Sequence, residues 1–279
     1  MSKRLEGRVA IVNGGGSSGP GWGNGKCTAL QFAREGAKVV VVDINRAAAE
    51  ETAALIAGEG GQALVIEADV SSESDMQGMV ARTLSEYGRL DILAHIVGIS
   101  SRLAFFEETE ADWDRVMAVN VKAAFLSARA VLKPMIEQRW GRIVTVSSIA
   151  SLRSLGKNIP MVYGVSKAAL AMLTKLMAVE FADKGITCNC IAIGMIDSPM
   201  VRGMVGEHAA AVSALRDKGS PTGKQGTGWD TAHLAAFLAS PEANYVNGLE
   251  LPLDGGFTAK APDIYPADPA ARGQAPVSP

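Results

Sequence analysis

Tyr163 and Lys167 are the side chains whose types and spacing most directly suggest chemistry. They are four residues apart, so a helix would place the phenol and the ammonium one turn apart on the same face. A free tyrosine has a pKa near 10 and needs a drop of about three units, worth about 4 kcal/mol, to act as a base at neutral pH. A positive charge about 4 Å away supplies about that much at an effective dielectric constant of about 20. The pair therefore predicts an acid/base centre in which Lys167 lowers the pKa of Tyr163.

A hydroxyl-rich strand end precedes this pair. The apolar run that begins at Arg142 ends in Thr145-Val-Ser-Ser148, and hydroxyls at the carboxyl edge of a parallel sheet lie where ligands bind. The other three tyrosines of the chain have no lysine four residues further on. This context favours a catalytic role for Tyr163, with Ser148 beside it, over the alternative of an exposed helix face.

The segment from Asn13 to Gly25 is rich in glycine and separates an apolar run from a stretch of helical character, Lys26 to Arg34. Glycine allows positive φ angles and close backbone approach, and the N-terminus of the following helix supplies free N–H groups. We therefore expect the pyrophosphate of a dinucleotide here, rather than a plain turn. Lys26 either reaches a phosphate or is solvated. The expected cofactor contacts in this segment are Gly14, Ser17, Ser18, Gly23 and Asn24.

Asp43 ends the second apolar run, at the distance from Gly25 expected of the acidic residue that bonds the adenosine ribose. A carboxylate there accepts both ribose hydroxyls of NAD and repels the 2′-phosphate of NADP. Arg46 follows the acid but does not replace it. The sequence therefore predicts NAD as the cofactor, and the alternative is a solvated aspartate at a strand end.

Short β-branched runs alternate with longer amphipathic segments, such as Ala111 to Gln138 and Val162 to Lys184. This pattern predicts an α/β fold, with a doubly wound, mostly parallel seven-stranded sheet of the Rossmann type in a single domain. Ligands of such sheets bind at the carboxyl ends of the strands. The seven predicted strands are Val9 to Val12, Lys38 to Val42, Ala63 to Glu67, Ile92 to Ile96, Arg142 to Val146, Ile186 to Ile191 and Leu249 to Leu253.

Two segments fall outside the repeated pattern. Ser198 to Gly228 lacks a predicted strand, and we expect a mobile helical flap over the pocket, with a plain surface helix as the alternative. Residues 261–279 contain five prolines and predict a tail, which leaves residues 1–260 as the oxidoreductase domain. Apolar residues beside the site indicate an alicyclic or aromatic alcohol as substrate. These residues are Leu155, Met195, Met200 and Met204.

Composition narrows the classes of protein. The formal net charge is −2 without a long basic run, which disfavours nucleic-acid binding. Three cysteines cannot form a disulfide framework, and Cys188 and Cys190 fit buried positions of one strand. The three histidines stand at no metal-ligand spacing, so we expect no metal. No signal peptide or membrane-spanning run is evident, and we expect a cytoplasmic protein without a membrane partner.

These motifs, taken in order, resemble the short-chain dehydrogenase/reductase family. The resemblance extends from about Leu5 to Thr258. It is carried by the glycine loop, Asp43, Asp69-Val70, Asn120, Ser147-Ser148, Tyr163 with Lys167, Asn189 to Met200, and Leu253-Asp-Gly-Gly256. It implies that Tyr163 exchanges a proton with the substrate oxygen and that Ser148 hydrogen-bonds that oxygen. It further implies that Lys167 holds the nicotinamide ribose and that Asn120 holds a water that relays protons. Asp69 and Val70 are expected to contact the adenine, and His95, Gly98 and Ile196 complete the expected cofactor set, together with Tyr163 and Lys167.

The sequence departs from the family pattern at four places. The glycine loop carries about five extra residues, and His95-Ile-Val-Gly98 replaces the usual Asn-Asn-Ala-Gly. Ile193-Gly194 stands where Pro-Gly is usual, and the segment between Ser148 and Tyr163 is about two residues longer. We expect His95 to contribute packing or a backbone contact.

Taken together, the residues predict an NAD-dependent oxidoreductase that moves a hydride between nicotinamide and a secondary alcohol or ketone. One alternative is an enoyl reductase or lyase on the same scaffold. Another is a non-catalytic NAD-binding sensor or scaffold protein. As the resemblance implies, we expect a homotetramer that uses Ala111 to Gln138 and Val162 to Lys184 at one interface.

Overall fold

The computed structural model describes residues 3–101, 103–156 and 160–261. Nearly all of the predicted C-terminal tail, and Lys157 of the long loop, lie outside the described residues. The strands are β1 (Val9–Asn13), β2 (Lys38–Asp43), β3 (Ala63–Glu67), β4 (Ile92–His95), β5 (Gly141–Ser148), β6 (Ile186–Ile193), β7 (Ile196–Asp197), β8 (Gly226–Thr227) and β9 (Glu250–Leu253). The seven predicted strands are confirmed, with ends that differ by at most two residues.

The main sheet has seven parallel strands in the order β3-β2-β1-β4-β5-β6-β9. The chain first builds outward from β1 to β3 and then crosses back to β4. This reversal opens a crevice at the carboxyl ends of β1 and β4, where ligands of doubly wound sheets bind. The predicted fold class is therefore confirmed.

The helices are α1 (Asn24–Arg34), α2 (Arg46–Gly58), α3 (Glu73–Tyr87), α4 (Glu110–Met117), α5 (Ala123–Gln138), α6 (Met161–Glu180), α7 (Pro199–Val205), α8 (Ala209–Gly219) and α9 (Gly228–Leu238). A π-helical turn, Ala118–Lys122, joins α4 to α5. The long segment predicted from Ala111 is thus helical, but a π-helical turn that contains Asn120 separates its two α-helices.

Alternate side chains of each central strand point to opposite faces, and both faces are buried. Val9 and Ile11 of β1 pack with apolar residues of α3, α5 and α6. Ala10 and Val12 pack with residues of α1, α2 and α9 on the other face. Cys188 and Cys190 of β6 are fully buried and free, as predicted. The sheet is therefore a rigid platform beneath the loops at its carboxyl edge.

Helix α6 is long and apolar enough to span a membrane by length and composition. In this fold it packs on β5 and β6, with side chains such as Leu170 and Ala171 buried. It is therefore a core helix of the domain, and its first turn carries Tyr163 to the carboxyl edge of the sheet.

The segment from Ser198 to Gly228 forms α7 and α8, as its predicted helical character required. The prediction that it lacks a strand is wrong, because β8 pairs with β7 in a separate two-stranded parallel sheet. Sequence periodicity could not reveal strands of only two residues. This small sheet ties the end of the segment, hereafter the flap, to the strand that precedes it.

Candidate active site

The glycine loop folds tightly against the ends of β1 and β2. The amides of Gly14 and Gly15 both donate to the carbonyl of Val42, at 2.8 and 3.0 Å. Gly14 has φ of +73°, a conformation that favours glycine. A Cβ atom at Gly15 would lie 2.8 Å from Val41 Cγ1 and 2.9 Å from the carbonyl oxygen of Val12. The loop therefore places backbone atoms without side chains at the mouth of the crevice.

The N-terminus of α1 begins where this loop ends. Its N-cap residue, Gly23, makes no side-chain capping bond, and no acidic residue lies in the first turn. The first N–H groups of the helix and the positive end of its dipole can therefore act on a phosphate. Asn24 Oδ1 is buried and has no partner among the described residues. These features fit the pyrophosphate of a dinucleotide.

Gly25 is the glycine that the packing of α1 requires most strictly. A Cβ atom there would lie 1.7 Å from the carbonyl oxygen of Gly14. Even alanine would displace the helix from the loop, so the close approach depends on glycine. Lys26, the next residue, is buried and its Nζ lies 2.8 Å from Glu51 Oε1. Its ammonium is therefore not solvated, which excludes that alternative, and a contact with a phosphate stays a prediction.

Asp43 is fixed at the end of β2 with its carboxylate in the crevice. Its Oδ2 accepts a hydrogen bond from the amide of Gly16, and its Oδ1 accepts one from the amide of Asn45, each at 3.0 Å. The guanidinium of Arg46 is turned to Glu50, with Nε 2.8 Å from Oε1. Asp43 therefore has spare lone pairs for ribose hydroxyls, and Arg46 already has an anionic partner.

A cavity of about 450 Å³ runs along the carboxyl edge from Asp43 to Tyr163. Eleven of the thirteen residues expected to bind the cofactor line it: Gly14, Ser17, Ser18, Gly23, Asn24, Asp43, Asp69, Val70, Gly98, Tyr163 and Lys167. The lining also includes Ile44, Asn45, Val119 and Ser147, which sequence reasoning had not assigned to the cofactor. Ile44 and Asn45 directly follow β2 and Ser147 lies at the carboxyl end of β5, and these positions are the signal that could have identified them.

Two residues of the expected cofactor set lie outside the cavity lining. His95 is fully buried, with its Nδ1 3.4 Å from Asn13 Nδ2. Burial and, to a smaller extent, the charge of Lys167 lower its pKa to about 3, so the ring is neutral. Ile196 is buried in β7, beneath the flap. Both were expected from the family resemblance, which does not fix the direction of a side chain; for His95 the sequence analysis expected packing or a backbone contact. The backbone after His95 does line the cavity, through residues 96–99.

Tyr163, Ser148 and Lys167 meet at the far end of the cavity. The hydroxyl of Ser148 forms a hydrogen bond with Tyr163 that lowers the pKa of the phenol. The ammonium of Lys167 is buried and donates to the carbonyl of Val146 at 3.1 Å. A Cβ atom at Gly98 would lie 2.7 Å from this ammonium, so glycine leaves room for it. The remaining donors of Lys167 face the cavity and fit ribose hydroxyls.

The charge balance at Tyr163 differs from the sequence-based prediction. Burial raises the pKa of Tyr163 above its ordinary value, while the hydrogen bond from Ser148 and the charge of Arg216 lower it. Lys167 Nζ lies 5.8 Å from the centre of the phenol ring, alongside the ring. Burial also lowers the pKa of Lys167 to about 8. The prediction that Lys167 depresses the tyrosine pKa is therefore not met in this structure, because burial outweighs the charges.

Asn120 lies in the π-helical turn and is fully buried. Its side-chain amide donates to the carbonyl of Ile99 at 2.8 Å and to Ser166 Oγ at 2.9 Å. Its Oδ1 accepts the amide of Ile99 at 2.8 Å. These bonds use both side-chain N–H groups, so the side chain clamps the loop after β4 onto α6. The expected water relay stays a prediction, and it would have to use an oxygen of Asn120.

Of the residues expected to contact substrate, Met200 and Tyr163 line the cavity. Ser148 reaches the site through its hydrogen bond with Tyr163. Leu155, Met195 and Met204 are half-buried and lie outside the lining. Only Met204 of these belongs to a flap helix, and sequence patterns could not specify the orientation of any of the three.

Arg216 of α8 is the residue near the site that sequence reasoning missed. Its charge lowers the pKa of Tyr163, and its Nη2 donates to the carbonyl of Ile196 at 3.0 Å. Ala209, Val212, Ser213 and Arg216 share one face of α8 and line a second cavity of about 220 Å³. A single arginine on an otherwise small and apolar inward face is the signal that could have identified it.

Comparison with known proteins defines the class. A family model described as enoyl-(acyl carrier protein) reductase matches residues 21–258. The chain therefore belongs to the short-chain dehydrogenase/reductase family, whose members bind nicotinamide cofactors, and the predicted resemblance is confirmed. It is an oxidoreductase of this family.

Particular relatives cover nearly the whole chain. It is 34% identical over 258 residues to a 2,5-dichloro-2,5-cyclohexadiene-1,4-diol dehydrogenase of Sphingobium indicum, covering 92% of this chain and 99% of the relative. A solved 7α-hydroxysteroid dehydrogenase, complexed with NADH and 7-oxo glycochenodeoxycholic acid, is 33% identical with a TM-score of 0.84, covering 91% and 96% of the two chains. A gluconate 5-dehydrogenase from Burkholderia cenocepacia, in complex with NADP and tartrate, is 32% identical with a TM-score of 0.84, covering 93% and 98%.

Proposed function

We propose that this protein is an NAD-dependent dehydrogenase that interconverts a secondary alcohol and its ketone, with Tyr163 as the general acid/base. The observation that carries the proposal is one continuous cavity with Asp43 and the uncapped end of α1 at one end and Tyr163 and Lys167 at the other, where Ser148 interacts with Tyr163. The relatives whose names specify an alcohol or diol as substrate support the same reaction class.

Each residue at the catalytic end has a distinct task. Bound NAD supplies the hydride acceptor in oxidation and, once reduced, the hydride donor in ketone reduction. In oxidation the phenolate of Tyr163 takes the hydroxyl proton of the alcohol, so that the alcohol loses a hydride and a proton and becomes a ketone. Ser148 orients the substrate oxygen and its bond to Tyr163, and Lys167 orients the nicotinamide ribose.

The preference for NAD rests on charge at the adenosine end. The carboxylate of Asp43 is held by two amides and faces the cavity, where a 2′-phosphate would be repelled. The nearby cations Lys26 and Arg46 are paired with Glu51 and Glu50, at 2.8 Å in each case. The neighbouring solved structures contain NADP in one case and NADH in the other, so this choice depends on residues of this chain.

A panel of secondary alcohols, each offered with NAD and with NADP, tests the proposal by the appearance of reduced nicotinamide. We expect turnover of alicyclic alcohols with higher kcat/KM for NAD. Tyr163→Phe should lower kcat by about 10²- to 10⁴-fold, because it removes the proton-transferring hydroxyl. Undiminished activity in Tyr163→Phe would assign the acid/base to another residue, and a higher kcat/KM with NADP would refute the cofactor choice.

The direction of the pH dependence follows from the phenol. Since burial raises the pKa of Tyr163, the phenolate form increases toward alkaline pH. The rate of oxidation should therefore rise with pH, and the rate of ketone reduction should fall over the same range. Measurements of kcat in both directions, with hydride transfer rate-limiting, test this. A flat oxidation profile would contradict the role of Tyr163.

The description of the matched family model makes an enoyl reductase the appropriate contrast. The spacing of four residues between Tyr163 and Lys167, and Ser148 beside the phenol, favour carbonyl chemistry. An enoyl thioester offered with NADH provides the discriminating assay. If the double bond of the thioester is reduced faster than cyclic ketones are, the protein is an enoyl reductase and the proposed alcohol dehydrogenase activity is refuted.

We further propose a homotetramer that acts in the cytoplasm. Helices α5 and α6 present an apolar groove of about 480 Å³, lined by residues that include Phe125, Leu132 and Leu173. Exposed apolar side chains such as Leu176 and Val179 continue the same face of α6. Burial between copies would remove this surface from water. A monomer in light scattering at micromolar concentration would contradict the assembly, and cell fractionation tests the location.

A further inference from the structure

Arg216 lies on α8 of the flap and lines the cavity of about 220 Å³ beside α7. It is anchored on the carbonyl of Ile196, with Nη2 3.0 Å from the oxygen. That carbonyl belongs to a short connection between two residues that line the main cavity, Ile193 and Ser198. The guanidinium and the phenol of Tyr163 affect each other's pKa in opposite directions, as a cation facing a phenol does. The charge of Arg216 therefore acts on the phenol of Tyr163, although the charges of Asp197 and Asp217 act on Arg216 more strongly.

The carboxylates around Arg216 are engaged elsewhere. Asp197 is held in a bidentate pair by Arg202, at 2.9 and 2.7 Å. Asp217 Oδ1 accepts the amide and the side chain of Gln225, at 2.8 and 3.3 Å. Within the described part of the chain, no carboxylate lies within ion-pair distance of Arg216. Its Nε is buried without a partner there, and Nη2 alone has an acceptor.

A half-buried guanidinium with unused donors is unfavourable unless an anion completes it. Burial lowers the pKa of Arg216 from its ordinary value, although the group stays charged at neutral pH. Arginine presents a planar fork that matches a carboxylate in bidentate geometry. The cavity of about 220 Å³ that Arg216 lines, between α7 and α8, leaves space for its side chain to reorient. The guanidinium therefore keeps an unused buried donor, and no carboxylate of the described residues pairs with it directly.

We propose that Arg216 is an anion-binding residue of the substrate site, and that the substrate is a secondary alcohol or ketone that carries a carboxylate. The inference rests on the proposed dehydrogenase activity and narrows its substrate class. The guanidinium would bind the carboxylate while Tyr163 acts on the alcohol oxygen of the same molecule. The apolar neighbour Met200 would contact the carbon skeleton between the two groups.

The test compares 3-hydroxycyclohexanecarboxylate with its methyl ester, which has the same ring and hydroxyl but carries a methyl group in place of the negative charge. Wild-type enzyme should have the higher kcat/KM for the acid. Arg216→Met should lower kcat/KM for the acid by about ten- to hundredfold, mainly through KM, and should affect the ester much less. Arg216→Lys keeps the charge without the planar fork and should fall between the two. Lys218→Met removes an exposed charge from the same helix and should leave the preference for the acid unchanged.

A binding measurement that needs no turnover separates this inference from the proposed activity. Malonate should raise the melting temperature of the wild-type protein more than malonamide, and Arg216→Met should abolish the difference. If no alcohol is oxidised but this difference is found, the dehydrogenase proposal fails while the anion site stands. If neutral alcohols are oxidised but the wild type prefers the ester, or Arg216→Met lowers both activities equally, the inference about Arg216 is overturned.

Discussion

The two ends of the cavity are built in different ways. At the adenosine end, the glycine loop, α1 and Asp43 are held by backbone bonds to the sheet, such as the two amides that donate to Val42. At the substrate end, α7 and α8 rest on a two-stranded sheet of four residues and on single side-chain bonds such as Arg216 to Ile196. The first end has a backbone that only glycine permits, whereas the second is shaped by side-chain orientation.

The adenosine end therefore recognises features that all dinucleotides share, whereas the substrate end recognises a particular alcohol. Every dinucleotide presents the same pyrophosphate and ribose, so a fixed backbone cradle can bind it. An alcohol is recognised by its skeleton and charge, which a few side chains on a flap can change without disturbing the sheet. Substitutions at the adenosine end should therefore affect all substrates alike, and substitutions in the flap should discriminate between them.

Among substitutions that compare the two ends, the largest effect is expected for Gly25→Ala, because its Cβ would lie 1.7 Å from the carbonyl oxygen of Gly14. Relief of this overlap must move α1 from the loop, at a cost of up to about 3 kcal/mol, or about a hundredfold in NAD affinity. Calorimetric titration with NAD measures the affinity. Gly78→Ala is the matched control, since Gly78 lies in α3 with open space around its Cβ position. NAD affinity equal to wild type in Gly25→Ala would show that the loop does not hold the cofactor.

The same distinction explains what the sequence could predict. The seven strands follow from apolar runs, and the cofactor residues follow from strand ends with glycine or aspartate, because backbone geometry demands those residue types there. The paired strands β7 and β8 are too short for any period to be visible. The orientations of His95, Leu155 and Met204 depend on tertiary packing, and so does the balance of burial and charge that raises the pKa of Tyr163.

The second prediction concerns the cofactor. Asp43→Ser removes the carboxylate that faces the ribose but keeps a small polar residue at the end of β2. Loss of charged hydrogen bonds worth about 1.5–3 kcal/mol should lower kcat/KM for NAD by roughly ten- to hundredfold. The kcat/KM for NADP should fall less than that for NAD, or should rise, because no carboxylate then repels the 2′-phosphate. Steady-state kinetics with both cofactors measure the ratio, and an unchanged ratio would remove Asp43 from cofactor selection.

The third prediction moves to the flap. Met200 lines the cavity, whereas Met204 of the same helix does not. Met200→Ala should raise KM for alicyclic alcohols by roughly tenfold through lost apolar contact, while KM for NAD changes little. Met204→Ala deletes the same atoms one turn further on and serves as the control. Equal effects of the two variants on alcohol KM would mean that the flap acts through its stability rather than through contact with substrate.

The smallest effect on activity is expected for His95→Asn, which should instead change how the stability of the fold depends on pH. The folded protein holds this pKa near 3, well below the ordinary value of 6.5. Between those values the unfolded chain binds a proton that the folded protein does not, so stability falls as pH falls from about 6.5. His95→Asn should therefore lose stability less steeply on acidification, by at most about 1.4 kcal/mol per pH unit. Its kcat/KM should stay close to wild type, because the ring lies outside the cavity lining.

Urea unfolding of wild type and His95→Asn at several pH values between 6.5 and 5 measures this difference in slope. The exposed His208 provides the matched control, and His208→Asn should retain the wild-type slope. Parallel stability curves for wild type and His95→Asn would show that His95 is protonated without cost in the fold. A large loss of kcat/KM in His95→Asn with NAD binding weakened would instead return His95 to the cofactor set. In that case a buried side chain of β4, and not the backbone alone, would shape the adenosine end of the cavity.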